Sequence, residues 1–221
     1  MKRTIFRVAS QISPKTHVHN RFPTASVRGF VSRTEEDHTP EVEPGQHVVA
    51  ACKQHGIFFP SENKFVKGLK LGGNPFKLSV RASQRHCLEV KSMKYFDKVE
   101  HPFTKSLLDI YIEKTNQPLW LSCFAYGASP FPNKTASRKL RHALRDALAA
   151  AGYDRFGRKV LTDGESSAIA DLYGTLSVVS SDSKAVCNAK FVDLLEAAKS
   201  ILSSAEIQLR RDKNGRQYVL T

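Results

Sequence analysis

Residues 1–34 contain no aspartate or glutamate, although they hold seven Lys/Arg. Long hydrophobic runs are also missing. No stretch approaches the roughly 18 apolar residues of a membrane span, so no membrane association is expected. No apolar core follows the first basic residues, which argues against a secretory signal. Cysteine is scarce: Cys52, Cys87, Cys123 and Cys187 stand tens of residues apart. That spacing excludes a metal-finger pattern, and a reducing compartment would exclude disulfides. Cys52-x-x-His55 is half a zinc site without a second half, and reads as chance spacing. Phosphate-cradling GxxxxGK[ST], GxGxxG after a strand and GxSxG are all absent. The eight histidines are scattered, and no acids pair at spacings suited to general acid/base work. No catalytic residue, metal or cofactor is therefore expected. Asn133-Lys134-Thr135 is a formal glycosylation sequon, meaningful only in a secreted protein.

What is present is positive charge, in blocks. The chain carries +13 overall. The first block is Lys2, Arg3, Arg7, Lys15, Arg21, Arg28 and Arg33. Residues 64–98 hold nine basic against two acidic side chains, and residues 134–159 eight against two. An Arg-, Ser- and Thr-containing leader without acids has the composition of a mitochondrial transit peptide. Ile5, Phe6, Val8 and Ala9 beside Lys2, Arg3 and Arg7 predict a short amphipathic helix with a basic face. Arg28-Gly29-Phe30-Val31-Ser32 resembles a matrix processing site cut after Phe30. The alternative is a basic tail that binds RNA directly. Glu35, Glu36 and Asp37 then open an acidic, proline-containing stretch. The expected organisation is a transit peptide over 1–30, an acidic linker over 31–46 and one domain over 47–221, directed to the mitochondrial matrix.

Periodicity predicts the elements of that domain. His47 to His55 reads as a short helix stopped by Gly56. Phe65–Leu71 is a candidate strand closed by Gly72-Gly73-Asn74-Pro75. Phe76, Leu78, Val80 and Ala82 alternate with Lys77, Ser79 and Arg81, a half-buried strand. Leu88–Tyr95 makes a return limb. Leu108, Ile110 and Ile112 alternate as a further strand, and Leu119–Tyr126 reads as a strand buried on both faces. Together these predict a meander of about five antiparallel strands. Leu140, Leu144, Leu148 and Ala151 predict a helix over 136–151, with Gly152 as its stop. Arg158–Leu161 and Leu172–Val179 read as strands. Phe191, Leu194, Leu195, Ala198, Ile201 and Leu202 predict a helix over 187–204. A closing hairpin is expected from Ile207–Arg211 and Gln217–Leu220 around Asn214-Gly215. The expected fold is α+β, antiparallel sheet with two amphipathic helices packed on one side.

The candidate binding residues follow from the two later charge blocks. Lys77 and Arg81 are expected on the polar face of their strand, joined by Lys91 and Lys94 from the next limb and by Lys64, Lys67 and Lys70 from the one before. Arg138, Arg141 and Arg145 form a row on the later helix. Like charges so gathered repel unless a polyanion neutralises them, and phosphate contacts release counterions. The bland reading is an ordinary solvated face balanced by acids from elsewhere. Trp120, Phe124 and Tyr126 share one strand face that could stack bases. Core packing is the favoured reading there, because Leu119, Leu121 and Cys123 make the opposite face apolar too. Phe58, Phe59, Phe65 and Phe76 carry the same ambiguity. Binding led by phosphates implies slight sequence preference.

The leader, Lys67-Gly68-Leu69-Lys70 near the first strand, Leu172-Tyr173-Gly174-Thr175-Leu176-Ser177-Val178 and the helix after Ala189-Lys190-Phe191 resemble the Whirly-like guide-RNA-binding proteins of kinetoplastid mitochondria. The patches cover about a quarter of the chain. The helix 136–151 lies early for that fold, and the terminal hairpin extends past its close. The resemblance implies a hetero-oligomer whose basic sheet face holds guide RNA and promotes its annealing to messenger during RNA editing. From the residues, the expectation is a non-catalytic RNA-binding protein, an oligomer or ribonucleoprotein subunit. The rivals are a structural protein of the mitochondrial ribosome and an enzyme acting on RNA or nucleotides, the last requiring His86, Cys87 and acids in one pocket.

Overall fold

Val48 and Cys52, four residues apart, both point inward, which makes α1 (Gln46–His55) an amphipathic helix. Gly56 ends it in the left-handed region at φ +65°, its amide donating to the Cys52 carbonyl. This agrees with the sequence expectation. The computed structural model describes residues 43–69, 71–160 and 169–212. The expected leader, most of the linker, Lys70, Leu161 and the far limb of the closing hairpin lie outside the described residues.

A four-stranded sheet organises the rest. Its order is β2 (Lys64–Phe65), β3 (Leu78–Ser83), β7 (Gly174–Ser180), β5 (Leu119–Ala125). β3 runs antiparallel to β2 and β7, in a register from Leu78↔Ser180 to Ser83↔Thr175. β5 and β7 are parallel, from Leu119↔Gly174 to Ala125↔Ser180. A parallel pair needs a long crossover, and α3 (Pro130–Ala150) lies within it. Two short pairs stand apart: β1 (Ile57–Phe58) parallel to β4 (His86–Cys87), and β6 (Ile169–Leu172) antiparallel to β8 (Arg210–Asp212). The fold is α+β, with a mixed sheet rather than the antiparallel one expected.

One face of the sheet carries the main core. Leu78, Val80 and Ala82 of β3, Leu176 and Val178 of β7 and Cys123 of β5 meet Leu140, Leu144 and Leu148 of α3. Leu194, Ala198, Ile201 and Leu202 of α5 (Phe191–Leu209) complete it. Both expected amphipathic helices therefore pack on the same side. Each fully buried leucine contributes about 1.5–3 kcal/mol. The short α4 (Ser183–Asn188) precedes α5, its first turn capped by Asp182, which accepts from the Ala185 amide at 3.0 Å.

A second core covers one end of the other face. Val48, Cys52, Ile57, Leu88, Phe96, Leu108 and Tyr111 enclose Trp120. Here the expected meander fails. Thr104–Lys114 is a helix, α2, not a strand. Thr104, Leu108 and Tyr111 are buried while Ile110 is exposed, a helical stripe that the alternation of Leu108, Ile110 and Ile112 imitates. The Leu88–Tyr95 limb is not a strand: β4 ends at Cys87, and Val90–Tyr95 is a 3-10 helix. The first strand stops at Phe65 and turns at Lys67-Gly68. Of the expected Arg158–Leu161 strand, only Lys159 bridges, to Tyr153. Ile207 and Leu209 belong to the last turn of α5, and the chain after them pairs with β6 rather than making its own hairpin limb within the described residues.

Candidate nucleic-acid interface

Alternation along the strands leaves a polar face opposite the main core. Strand register aligns Phe65, Arg81, Ser177 and Ser122 in one row, and Ser79, Val179 and Phe124 in the next. Small polar residues at the centre of a sheet face leave room for something else. Phe65 is 62% exposed, Phe124 44% and Tyr126 47%. The Arg81 guanidinium sits 4.6 Å from the Phe65 ring centroid. Phe124 and Tyr126 stack on each other at 6.2 Å and 25°. Trp120, expected on the same face, is there but buried, its indole N–H donating to the Lys114 carbonyl at 2.8 Å. The strand is thus buried on one face, with Leu121 only partly covered, and only at one end of the other, against the expectation for Leu119–Tyr126.

Cations gather along the outer edge of β5. Lys114 Nζ lies 4.9 Å from the Trp120 ring and 5.9 Å from that of Tyr111. Burial holds its amine below the ordinary lysine value. Glu89 opposes that shift, while the nearby charges of Lys91 and Arg141 add to it. Lys91 bonds Glu89 at 2.7 Å. On α3, Ser137, Arg141 and Arg145 follow at four-residue spacing and face β5. The Ser137 hydroxyl accepts from the Ala125 amide at 2.9 Å. Arg141 and Arg145 sit near Cys123, whose thiol burial pushes up to about 12 in spite of them.

The expected binding residues do not form one patch. Arg81 faces the open sheet as expected, and Lys91, Arg141 and Arg145 border it. Lys94, one 3-10 turn beyond Lys91, lies over its neighbour Tyr95 at 4.8 Å. Lys64 pairs with Ala82, so it belongs to the face opposite Phe65, in a polar hollow with Glu62, Arg85 and Gln208. Lys67 is exposed in the turn. Lys77 precedes β3 in the left-handed region, φ +46°, and pairs with Asp182 at 3.3 Å. That pairing removes it from the face beside Arg81. Arg138 leaves the arginine row and lines a groove with His142 and Phe191 beside α5. Among the described residues no carboxylate pairs with Arg81, Arg141 or Arg145.

Lys114 went unread in the sequence because its segment looks like a strand end. The serines at 79, 122 and 177 were a usable signal, since each interrupts an apolar strand on the same face. His86 and Cys87, the pair that the enzyme reading required, are both buried. His86 is sandwiched between Trp120 at 4.5 Å and Tyr173 at 4.5 Å. Among the described residues no three His, Cys, Asp or Glu side chains are placed to hold a metal ion, and no helix is long and apolar enough to cross a membrane. No family model, characterised protein or solved structure matches this chain.

Proposed function

We propose that this chain is an RNA-binding protein of the mitochondrial matrix that acts by holding RNA rather than by catalysis. The observation that carries the reading is the cluster of Lys91, Lys114, Arg141 and Arg145 at the outer edge of β5, with Glu89 as the acid among them. Glu89 answers only Lys91 with an ion pair, and phosphates offer Lys114, Arg141 and Arg145 the neutralisation that no ion pair among the described residues supplies. The leader composition supports matrix import. Screening phosphate charge also lets two RNA strands approach, which supports annealing of a guide RNA to a messenger within a ribonucleoprotein.

Titrating labelled RNA at several salt concentrations tests this. Four contacts, from Lys114, Arg141, Arg145 and Arg81, give a slope of log affinity on log salt of about −2.8 for a single strand. Charge reversal at Arg141 and Arg145 lowers both affinity and slope. Affinity indifferent to salt would refute the reading.

A further inference from the structure

We propose, building on the RNA-binding reading, that the open sheet face takes an unpaired strand, its bases stacking on the Phe124–Tyr126 pair at one side and on Phe65 with Arg81 at the other. The two platforms are set by the sheet itself. Phe65 stands three strands from Ser122 in the same row, and Phe124 lies two residues further along β5. At about 4.8 Å between strands and 3.3 Å per residue, the platforms are about 16 Å apart. Successive bases in a duplex strand rise only ~3.4 Å, with both faces already covered by neighbours. A duplex therefore cannot use these rings, whereas a splayed single strand can reach both.

Charge and composition select nucleic acid over a protein occupant. Arg81, lying on the Phe65 ring, has no carboxylate partner among the described residues, and the edge beyond Phe124 carries Arg141 and Arg145. Ser79, Ser122 and Ser177 break the apolar surface between the rings, so it lacks the contiguous apolar centre of a protein-docking patch. Their hydroxyls suit phosphate or base edges. Stacking is tolerant of sequence because every base has a π-face.

The test uses fluorescence anisotropy with the full chain and a labelled 12-nucleotide RNA, offered unpaired, as a blunt duplex, and as unpaired DNA of the same sequence. The expected results are at least about 10-fold tighter binding of the unpaired RNA than of the duplex, and DNA within a few-fold of RNA. Phe124→Ala with Tyr126→Ala should cost the unpaired RNA about 10-fold or more and the duplex less than about 2-fold. Both side chains are exposed, and circular dichroism verifies that the variant folds. Arg141→Glu with Arg145→Glu should weaken both RNA forms. Equal binding of duplex and single strand, or an aromatic variant without effect, overturns the stacking assignment while salt-dependent binding keeps the broader reading. A loss of binding on replacing RNA with DNA overturns it in favour of 2′-hydroxyl recognition. A dimer abolished by the aromatic variant would make this face a contact between copies instead. Absence of any salt-dependent RNA binding overturns both.

Discussion

Arg81 on β3 and Phe65 on β2 are cross-strand partners, and the guanidinium lies 4.6 Å from the ring centroid. An exposed cation–π pair of this kind contributes about 0.5–1 kcal/mol. Arg81→Ala should therefore lower stability by no more than about 1 kcal/mol in urea denaturation. The same change should weaken RNA binding and reduce the magnitude of the salt slope by about 0.7. A stability loss above about 2 kcal/mol with unchanged RNA affinity would make the pair structural only.

Gly174 opens β7 at φ +121°, where an added Cβ would lie 2.1 Å from the Ser83 carbonyl oxygen. It would also meet the Gln84 backbone, and none of these atoms belongs to a flexible side chain, so the sheet must shift. Gly174→Ala should cost more than about 2 kcal/mol. Gly56→Ala meets nothing within 4 Å at φ +65°, and should cost about 1 kcal/mol from backbone conformation alone. Chemical denaturation ranks the two; the reverse order would contradict the register.

Lys139 donates to the Cys187 carbonyl at 2.9 Å and the Ala189 carbonyl at 2.5 Å, at the end of α4. A charged donor on helix-terminal carbonyls contributes about 1–2 kcal/mol. Lys139→Met should lose that much in a thermal melt. Arg138→Ala, one residue away and outward, should change stability by less than about 0.5 kcal/mol. Equal effects would show that charge in the block matters only collectively.

Burial, and the Glu206 carboxylate that accepts its hydroxyl at 2.7 Å, push the Tyr153 phenol up to about 12. The unfolded chain ionises this group near pH 10. A raised value means stability is fully present below about pH 10 and is lost as pH rises towards about 12. The melting temperature should fall across that window, and less steeply in Tyr153→Phe. An equal fall in both proteins would assign the alkaline loss to other groups.

Thiol reactivity should follow packing. Burial pushes Cys52 to about 11 and Cys123 to about 12, and raises Cys87 as well. Cys187 is only half-buried. At pH 8 a thiol reagent should label Cys187 first, and the others only as the chain opens, because the thiolate is the reactive form. Rapid labelling of Cys123 would mean that α3 does not seal β5.

Helices α1, α3 and α5 and strands β3 and β5 are legible in local periodicity, because each keeps one apolar stripe against one core. The same test misplaces Leu108–Glu113: Leu108, Ile110 and Ile112 satisfy a two-residue repeat, while burial of Thr104, Leu108 and Tyr111 obeys a helical one. A short segment supports both readings, and only packing chooses. The arginines of α3 show the same limit. Their spacing is visible in the chain, but the split that sends Arg141 to the β5 edge and Arg138 to the Phe191 groove depends on what lies on either side.

The amino-acid order was sufficient for the positive charge, the α+β class and the alternation that exposes Arg81, since these depend on composition and on neighbours a few positions apart. Tertiary packing alone decided that Trp120 is covered while Phe124 and Tyr126 are bare, and that Lys77 faces Asp182. It also decided that Lys91, Lys114 and Arg141 meet. The physical reason is that exposure and charge pairing depend on contacts between segments remote in the chain, which form only when α3 and α2 pack on opposite faces of the sheet.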